Sequence, residues 1–255
     1  MKNIFTLLLL ALSFSVYAQS PRAGVKLNLS ALAAPRFIEG QFEYLIDDNK
    51  GIQLSIGVIP STSKLRFHNF IDEMDKAAKD KAQTGETTVF SGMKQSAFRV
   101  TADMRFYLGE GEGTGFYLSP FIRYYKYTFK SKYKEDVNAD KTIEAWRDFK
   151  LKTNVSAVGI GLAIGTQWLI NDKWAIDVTW IGIAPSFGKI KATVTSDDNV
   201  DWKKYTDDFN NSVSSDDSKF VQKIKATSSK NGISLSFPNP VPVILRSGVS
   251  VGYYF

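Results

Sequence analysis

An eight-stranded antiparallel transmembrane β-barrel is the fold predicted for this chain, and three observations predict it. Apolar residues recur at every second position in segment after segment, which is the period of a strand with two unlike faces. Polar connections between these segments are short after the second, fourth and sixth, and long and charged after the third, fifth and seventh. The parity opposite to the apolar one carries glycines and charges of both signs. A sheet of this kind lies between lipid and an enclosed polar interior, because a closed barrel pairs every backbone group within hydrocarbon.

The first segment alternates Val25, Leu27, Leu29 and Ala31 against Lys26, Asn28 and Ser30, and Ala34-Pro35-Arg36 breaks it as a tight turn. The second sets Ile38, Gly40, Phe42, Tyr44 and Ile46 against Glu39, Gln41 and Glu43, and the turn 47–51 follows. The third sets Ile52, Leu54, Ile56 and Val58 against Gln53, Ser55 and Gly57, ending at Pro60. The fourth runs Phe98 to Leu108, with Arg99, Thr101, Asp103, Arg105 and Tyr107 on its other face, and the turn GEGEGTG (109–115) leads into a fifth from Phe116 to Tyr124 that also carries Arg123. The sixth places Val158, Ile160, Leu162, Ile164 and Trp168 opposite Gly159, Gly161, Ala163, Gly165 and Gln167. The seventh places Trp174, Ile176, Val178 and Trp180 opposite Asp177 and Thr179. The last, 241–255, alternates back from Phe255 through Tyr253, Val251 and Val249 to Leu245, with Ser247 the one lapse and Arg246 on the other parity. If the seventh strand continues through 188–196, residues 219–227 or 232–237 can pair with it, which makes ten strands the alternative count.

Residues 1–18 read as a secretory signal peptide removed after Ala18, with Lys2, an apolar run from Ile4 to Leu12 and Val16-Tyr17-Ala18 before the cut; residues 19–255 form the barrel domain. No cysteine is present, which excludes disulfides and thiolate metal sites. After residue 18 no run of 18 apolar residues remains to make a spanning helix. A formal charge of +6 and a pI near 9.2 are compatible with nucleic acid, but export argues against it and favours acidic lipid headgroups.

The stretches QFEYLIDDNKGIQLSIGVIP (41–60), GIGLAIGTQWLINDKWAIDVTW (159–180) and the terminal SVGYYF (250–255) resemble the small outer-membrane β-barrels of the OmpX, OmpA transmembrane-domain and OmpW type, in versions common in Bacteroidota. The resemblance implies a porin-like fold of the Gram-negative cell envelope and location in the outer membrane after export. It also implies lipopolysaccharide neighbours and a C-terminal signal, Tyr253 and Phe255, read by the barrel-assembly machinery. It specifies architecture and hardly any activity.

Nine inward charges, Lys26, Glu39, Glu43, Arg99, Asp103, Arg105, Arg123, Asp177 and Arg246, are expected to form a paired network that fills a lumen too narrow for an open bore. Phe70, Trp146, Trp202, Tyr205 and Phe209 lie in three long connections, each with a short helical pattern, and could pack as an aromatic cap over the mouth. Asp201 is placed to cap the last of these helices. The lone histidine, His68, has no catalytic motif around it. The acidic run 197–201 lacks the glycine and glutamate of a calcium loop, so neither metal nor cofactor is expected. The expected role is non-enzymatic, in envelope structure or surface contact with a partner; the alternatives are a narrow channel or carrier for small or hydrophobic solutes, and, further off, a lipid-modifying enzyme.

Overall fold

The computed structural model describes residues 22–33, 37–64, 93–109, 112–136, 146–197, 200–214, 224–238 and 243–255. Ten strands and two helices lie among them. The strands are β1 (Ala23–Asn28), β2 (Ile38–Asp47), β3 (Lys50–Lys64), β4 (Lys94–Tyr107), β5 (Gly115–Asp136), β6 (Trp146–Ile170), β7 (Trp174–Ser196), β8 (Lys225–Ser229), β9 (Gly232–Pro238) and β10 (Val243–Tyr254). The helices are α1 (Leu29–Ala33) and α2 (Trp202–Ser214).

Strands β1 to β7 pair antiparallel in chain order, and β10 closes the ring by pairing with both β7 and β1. Eight strands therefore form the barrel. The hairpin β8–β9 joins the same sheet on the distal part of β7, with Lys189 opposite Pro238 and Thr195 opposite Gly232. Both counts read from the sequence hold, eight in the ring and ten in the sheet.

Alternation sets the two faces. Along β2 burial switches at every residue from Ile38 to Leu45, with Glu39, Gln41 and Glu43 inward and Phe42 and Tyr44 outward. The outer face is apolar around the whole ring, from Val25 and Leu27 through Ile52, Leu54 and Ile56 to Ile160, Leu162, Ile183, Val249 and Val251. Register shifts fall near the ends of β2, between Leu45 and Asp47, and of β3, between Ile59 and Ser63, and one interrupts β7 within the ring. Against β6, Ile164 pairs with Ile181 and Gly165 with Thr179; against β10, Arg246 pairs with Gly182 and Gly248 with Thr179. Trp180 is thus an extra residue, a bulge, and it and Ile181 both point outward. Its indole Nε1 donates to Thr166 Oγ1 at 3.0 Å.

Four expected features differ. Strand β3 does not end at Pro60 but runs on to Lys64, pairing again with β4 at Ser63 and Lys64. Leu29 and Ala31 lie in α1 rather than β1: the Asn28 side-chain oxygen accepts from the Ala31 N–H at 3.0 Å and turns the chain into a helical turn. Strands β5 and β6 run well past Tyr124 and begin well before Val158, pairing as far as Asp136 with Trp146. Trp146 is therefore a strand residue, not part of a helix.

One end of the ring gathers the tight connections β2–β3, β4–β5 and β6–β7 and the chain end. The Gly113 N–H donates to Asp48 O at 3.1 Å and the Tyr254 N–H to Lys173 O at 2.7 Å, tying these turns together. Gly113 takes a φ of +70°, which glycine adopts without strain. Below, this is the turn end; the opposite one is the loop end.

Candidate functional site

The interior of the barrel holds two ionic clusters, one above the other. All nine charges predicted to face inward do so; eight are buried and Arg99 is partly buried.

At the turn end, Lys26 of β1 is the hub. Its Nζ donates to Glu43 Oε2 at 2.5 Å, Gln167 Oε1 at 2.8 Å and Asp177 Oδ2 at 2.8 Å. Arg105 of β4 faces the same acids, with Nη2 2.7 Å from Asp177 Oδ2 and Nη1 3.5 Å from Glu43 Oε2, and its guanidinium lies 4.3 Å from the Tyr117 ring centroid. Two cations meet two carboxylates here. Tyrosines fill the remaining lone pairs: Tyr254 donates to Glu43 at 2.7 Å, Tyr117 to Asp177 Oδ1 at 2.8 Å, and Tyr107 also donates to Glu43. Gln167 closes the set, donating from Nε2 to Gly113 O at 2.7 Å and to Tyr254 Oη at 2.8 Å. Leu45, Tyr107, Tyr117, Ala175 and Tyr254 pack into one apolar cluster around this network, and the lumen is filled at that level.

Two close approaches make room for these rings. A Cβ on Gly165 would sit 2.3 Å from Tyr117 Oη, and one on Gly24 would sit 2.8 Å from the Tyr254 ring. Glycine on the inward parity is thus a packing requirement of the neighbouring tyrosine.

Nearer the loop end, Arg99 pairs with Glu39, Arg246 with Asp103, and Asn28 Nδ2 donates to Glu39 Oε1 at 2.8 Å. Arg123 differs. Its Nε donates to Thr101 Oγ1 at 2.9 Å, and no carboxylate among the described residues forms an ion pair with it. Three guanidinium groups therefore face two carboxylates. Above them, Phe37, Tyr125, Tyr127 and Phe129 form an aromatic run, with Tyr125–Tyr127 centroids 5.6 Å apart and Phe37–Tyr127 6.0 Å apart.

Sequence reasoning found every charge but missed the polar groups that complete the lower cluster, namely Gln167, Tyr107, Tyr117 and Tyr254. All four hold the inward parity, and that was the signal available. Of the aromatic residues expected as a cap, Trp202 packs edge-on to Phe149 at 6.1 Å, with Val200 beside it, against the β6–β7–β9 panel. Phe209 is half-buried on the same helix, and α2 is capped as expected, Asp201 Oδ1 accepting from the Lys204 N–H at 3.1 Å. Here α2 packs on the β8–β9 hairpin. Phe70 and His68 lie outside the described residues, as do the side chains of Trp146 and Tyr205 and the whole of residues 1–21. Tyr253 stacks edge-on with Trp174 at 5.3 Å, and the Phe255 N–H donates to Ala23 O at 2.9 Å.

A family model described as "Protein of unknown function (DUF3575)" matches residues 4–204. The chain belongs to this family. No curated protein matches it. A solved structure, the crystal structure of a major outer membrane protein from Thermus thermophilus, is similar at 11% identity, over 92% of this chain and 98% of that one, with a TM-score of 0.38. For this DUF3575 member, the architecture rests on the hydrogen-bonded ring itself.

Proposed function

We propose that this protein is an integral β-barrel of the outer membrane with a non-enzymatic role in the envelope, stabilising it and presenting its long connections at the surface. One observation carries the reading: the ring is oily outside and ionic inside, the reverse of a soluble barrel. Large apolar side chains such as Ile38, Ile160, Ile183 and Leu245 stand half or more exposed, while Glu43, Asp177 and Arg105 are shielded from solvent.

Dimensions support it. The outward apolar run on β2, Ile38 to Ile46, covers about 27 Å of strand at ~3.4 Å per residue. At a tilt of ~40° that is about 20 Å of height, near the ~25 Å apolar band of such barrels. Trp168, Trp174 and Tyr253 sit at the turn end of the band, where amphipathic rings suit a headgroup boundary.

The loop-end boundary is marked by lysine. Lys126, Lys130, Lys132, Lys150, Lys152, Lys189 and Lys191 lie on the outward face of β5, β6 and β7 directly beyond the apolar residues. Lys130 lies opposite Lys152; Lys132 lies opposite Lys150, whose Nζ is already paired with Asp197 Oδ2 at 2.5 Å, so the open pair is Lys130 with Lys152. Like charges directly opposed weaken a sheet unless an anion lies between them. Phosphate groups of lipopolysaccharide in the outer leaflet are the partner we assign to this face. Tyr253 and Phe255 are assigned to recognition by the assembly machinery.

Purified chain should aggregate in plain buffer and fold only with detergent or lipid; a folded monomer in buffer without amphiphile would overturn the membrane reading. Deleting Phe255 should lower the assembled yield in the outer membrane, and undiminished yield removes the terminal signal. Substituting His68→Ala should leave the lipid A profile of the cell unchanged, and an altered profile would restore the enzymatic alternative.

A second reading, a carrier for small or hydrophobic solutes, is favoured by the spaces at the loop end of the lumen. Continuous conduction is opposed by the filled turn end. Planar-bilayer recordings should show no stable ohmic step.

A further inference from the structure

We infer that the upper lumen is a binding site for a monoanionic amphiphile, a carboxylate with an apolar body, held by Arg123. The site lies inside the ring and does not depend on what surrounds the barrel.

Charge comes first. The lower cluster is balanced, two cations to two carboxylates, and the upper one holds Arg99, Arg123 and Arg246 against Glu39 and Asp103. The excess is one positive charge. Arg123 is 6% exposed, and its hydrogen bond among the described residues goes to a neutral hydroxyl. Taking an ion out of water costs several kcal/mol unless a partner replaces the solvent. Arg99 adds a buried Nε that also lacks a hydrogen-bond partner among the described residues. The Gln41 Oε1 and Asp103 Oδ2 acceptors are likewise buried without a hydrogen-bond partner among the described residues, so it is the one charge in excess, beside open space, that describes a receptor for one anion.

Space comes second. A polar chamber of about 170 Å³ lies against Arg99, Arg123 and Arg246, with the Asn28 and Gln41 amides and the Ser250 hydroxyl around it. It is large enough for a carboxylate and a few waters. A second recess of about 410 Å³ shares Arg99, Arg123 and Leu245 with the chamber and is lined further out by Tyr125, Tyr127, Phe129 and Ile244. A guanidinium at the junction of a polar chamber and an aromatic recess fits a ligand with a charged head and an apolar body. Arginine supplies parallel N–H donors that match a carboxylate fork.

Isothermal titration of the full chain in a neutral detergent, against micelle blanks, tests this with three probes: sodium octanoate, 1-octanol and inorganic phosphate. Octanoate should bind saturably at one per chain, and octanol and phosphate each at least about tenfold more weakly, the factor expected for one charge-assisted contact. Arg123→Gln should weaken octanoate by about tenfold or more, and Arg123→Lys should restore only part of the loss, because an ammonium keeps the charge without the fork. Absence of saturable octanoate binding, or equal binding of octanol, overturns the site on the unaltered protein alone, whatever the variants do. Phosphate binding as tight as octanoate overturns the amphiphile and leaves a charge-only site. Undiminished octanoate binding by a folded Arg123→Gln protein removes Arg123 from it. Arg123-dependent binding by a chain that stays monomeric without detergent keeps this site and sinks the membrane reading instead.

Discussion

Lys26 Nζ stands 2.8 Å from Asp177 Oδ2 although their strands, β1 and β7, are not neighbours in the ring; β10 lies between them. The pair spans 151 positions of sequence. A contact across the lumen fixes the circumference as well as the register, because it is satisfied only when the ring has closed. Glu43 and Arg105 tie β2 and β4 to the same point.

Replacing Arg105 by leucine should therefore destabilise the barrel strongly. Asp177 and Glu43 would keep only Lys26 to neutralise them. Breaking one member out of a buried ionic set costs about 3–5 kcal/mol. Urea unfolding in lipid vesicles, followed by tryptophan fluorescence, should show the midpoint fall, and an unchanged midpoint would place Arg105 outside a coupled network.

Arg123→Leu should behave in the opposite way. The substitution removes a buried cation that has no carboxylate partner among the described residues and orphans only the Thr101 hydroxyl. Unfolding free energy should stay within about 1 kcal/mol of the parent or rise, as when buried charge is exchanged for packed apolar groups. A loss as large as that of Arg105→Leu would mean that Arg123 is neutralised by protein.

Gly165→Ala tests the interior packing. The new methyl would fall 2.3 Å from Tyr117 Oη, displacing the hydroxyl that donates to Asp177. A loss of about 1–3 kcal/mol is expected, the usual cost of an overpacked core. In the background Tyr117→Ala the same substitution should cost less, the remainder coming from the Val178 carbonyl oxygen, which would lie 2.5 Å from the new methyl; equal costs in the two backgrounds would assign the whole loss to that backbone contact.

How much of this was legible in the sequence follows from where two solvents leave a mark. Between lipid and an ionic lumen, alternation is forced, so β2, β10, residues 52–58 of β3 and residues 98–107 of β4 could be read residue by residue, and the nine interior charges with them. Past Tyr124 the pattern of β5 becomes Lys126, Thr128, Lys130 and Lys132 outward, against Tyr127 and Phe129. Both faces there are mixed, and period two no longer separates them from a loop. Strand length was under-read for that reason. The turn into α1 was missed because Val25, Leu27, Leu29 and Ala31 continue the alternation in letters, while the Asn28 side chain ends the strand in fact. Pairing partners inside the lumen depend on ring closure, which parity alone does not encode.

Lys152→Glu separates the sheet from the surface it faces. Opposite Lys130, a carboxylate turns a repulsive cross-strand pair into an attractive one. In neutral detergent the barrel should gain about 0.2–1 kcal/mol. In vesicles bearing lipopolysaccharide the gain should shrink or reverse, because a phosphate contact is lost. Equal shifts in both media would show that these lysines meet no anion in the membrane.

Trp180 offers a test of register that few single residues allow. Deleting one residue from a regular strand sends every later side chain to the wrong face. Trp180 is the extra residue of a bulge, and it and Ile181 both point outward. Its removal leaves Thr179 inward, Ile181 outward and Gly182 inward, so the alternation on either side survives. The costs are the Thr166 hydrogen bond and the outward burial of one indole. Deleting Val178 instead reverses the faces on one side of the gap, driving either Asp177 or Thr179 and the residues beyond it out of phase with β6 and β10. Folded yield in detergent, read as resistance of the ring to trypsin, should be nearly kept when Trp180 is deleted and lost when Val178 is. Equal loss from both would mean that the bulge itself, and not the alternation around it, holds β7 between its neighbours.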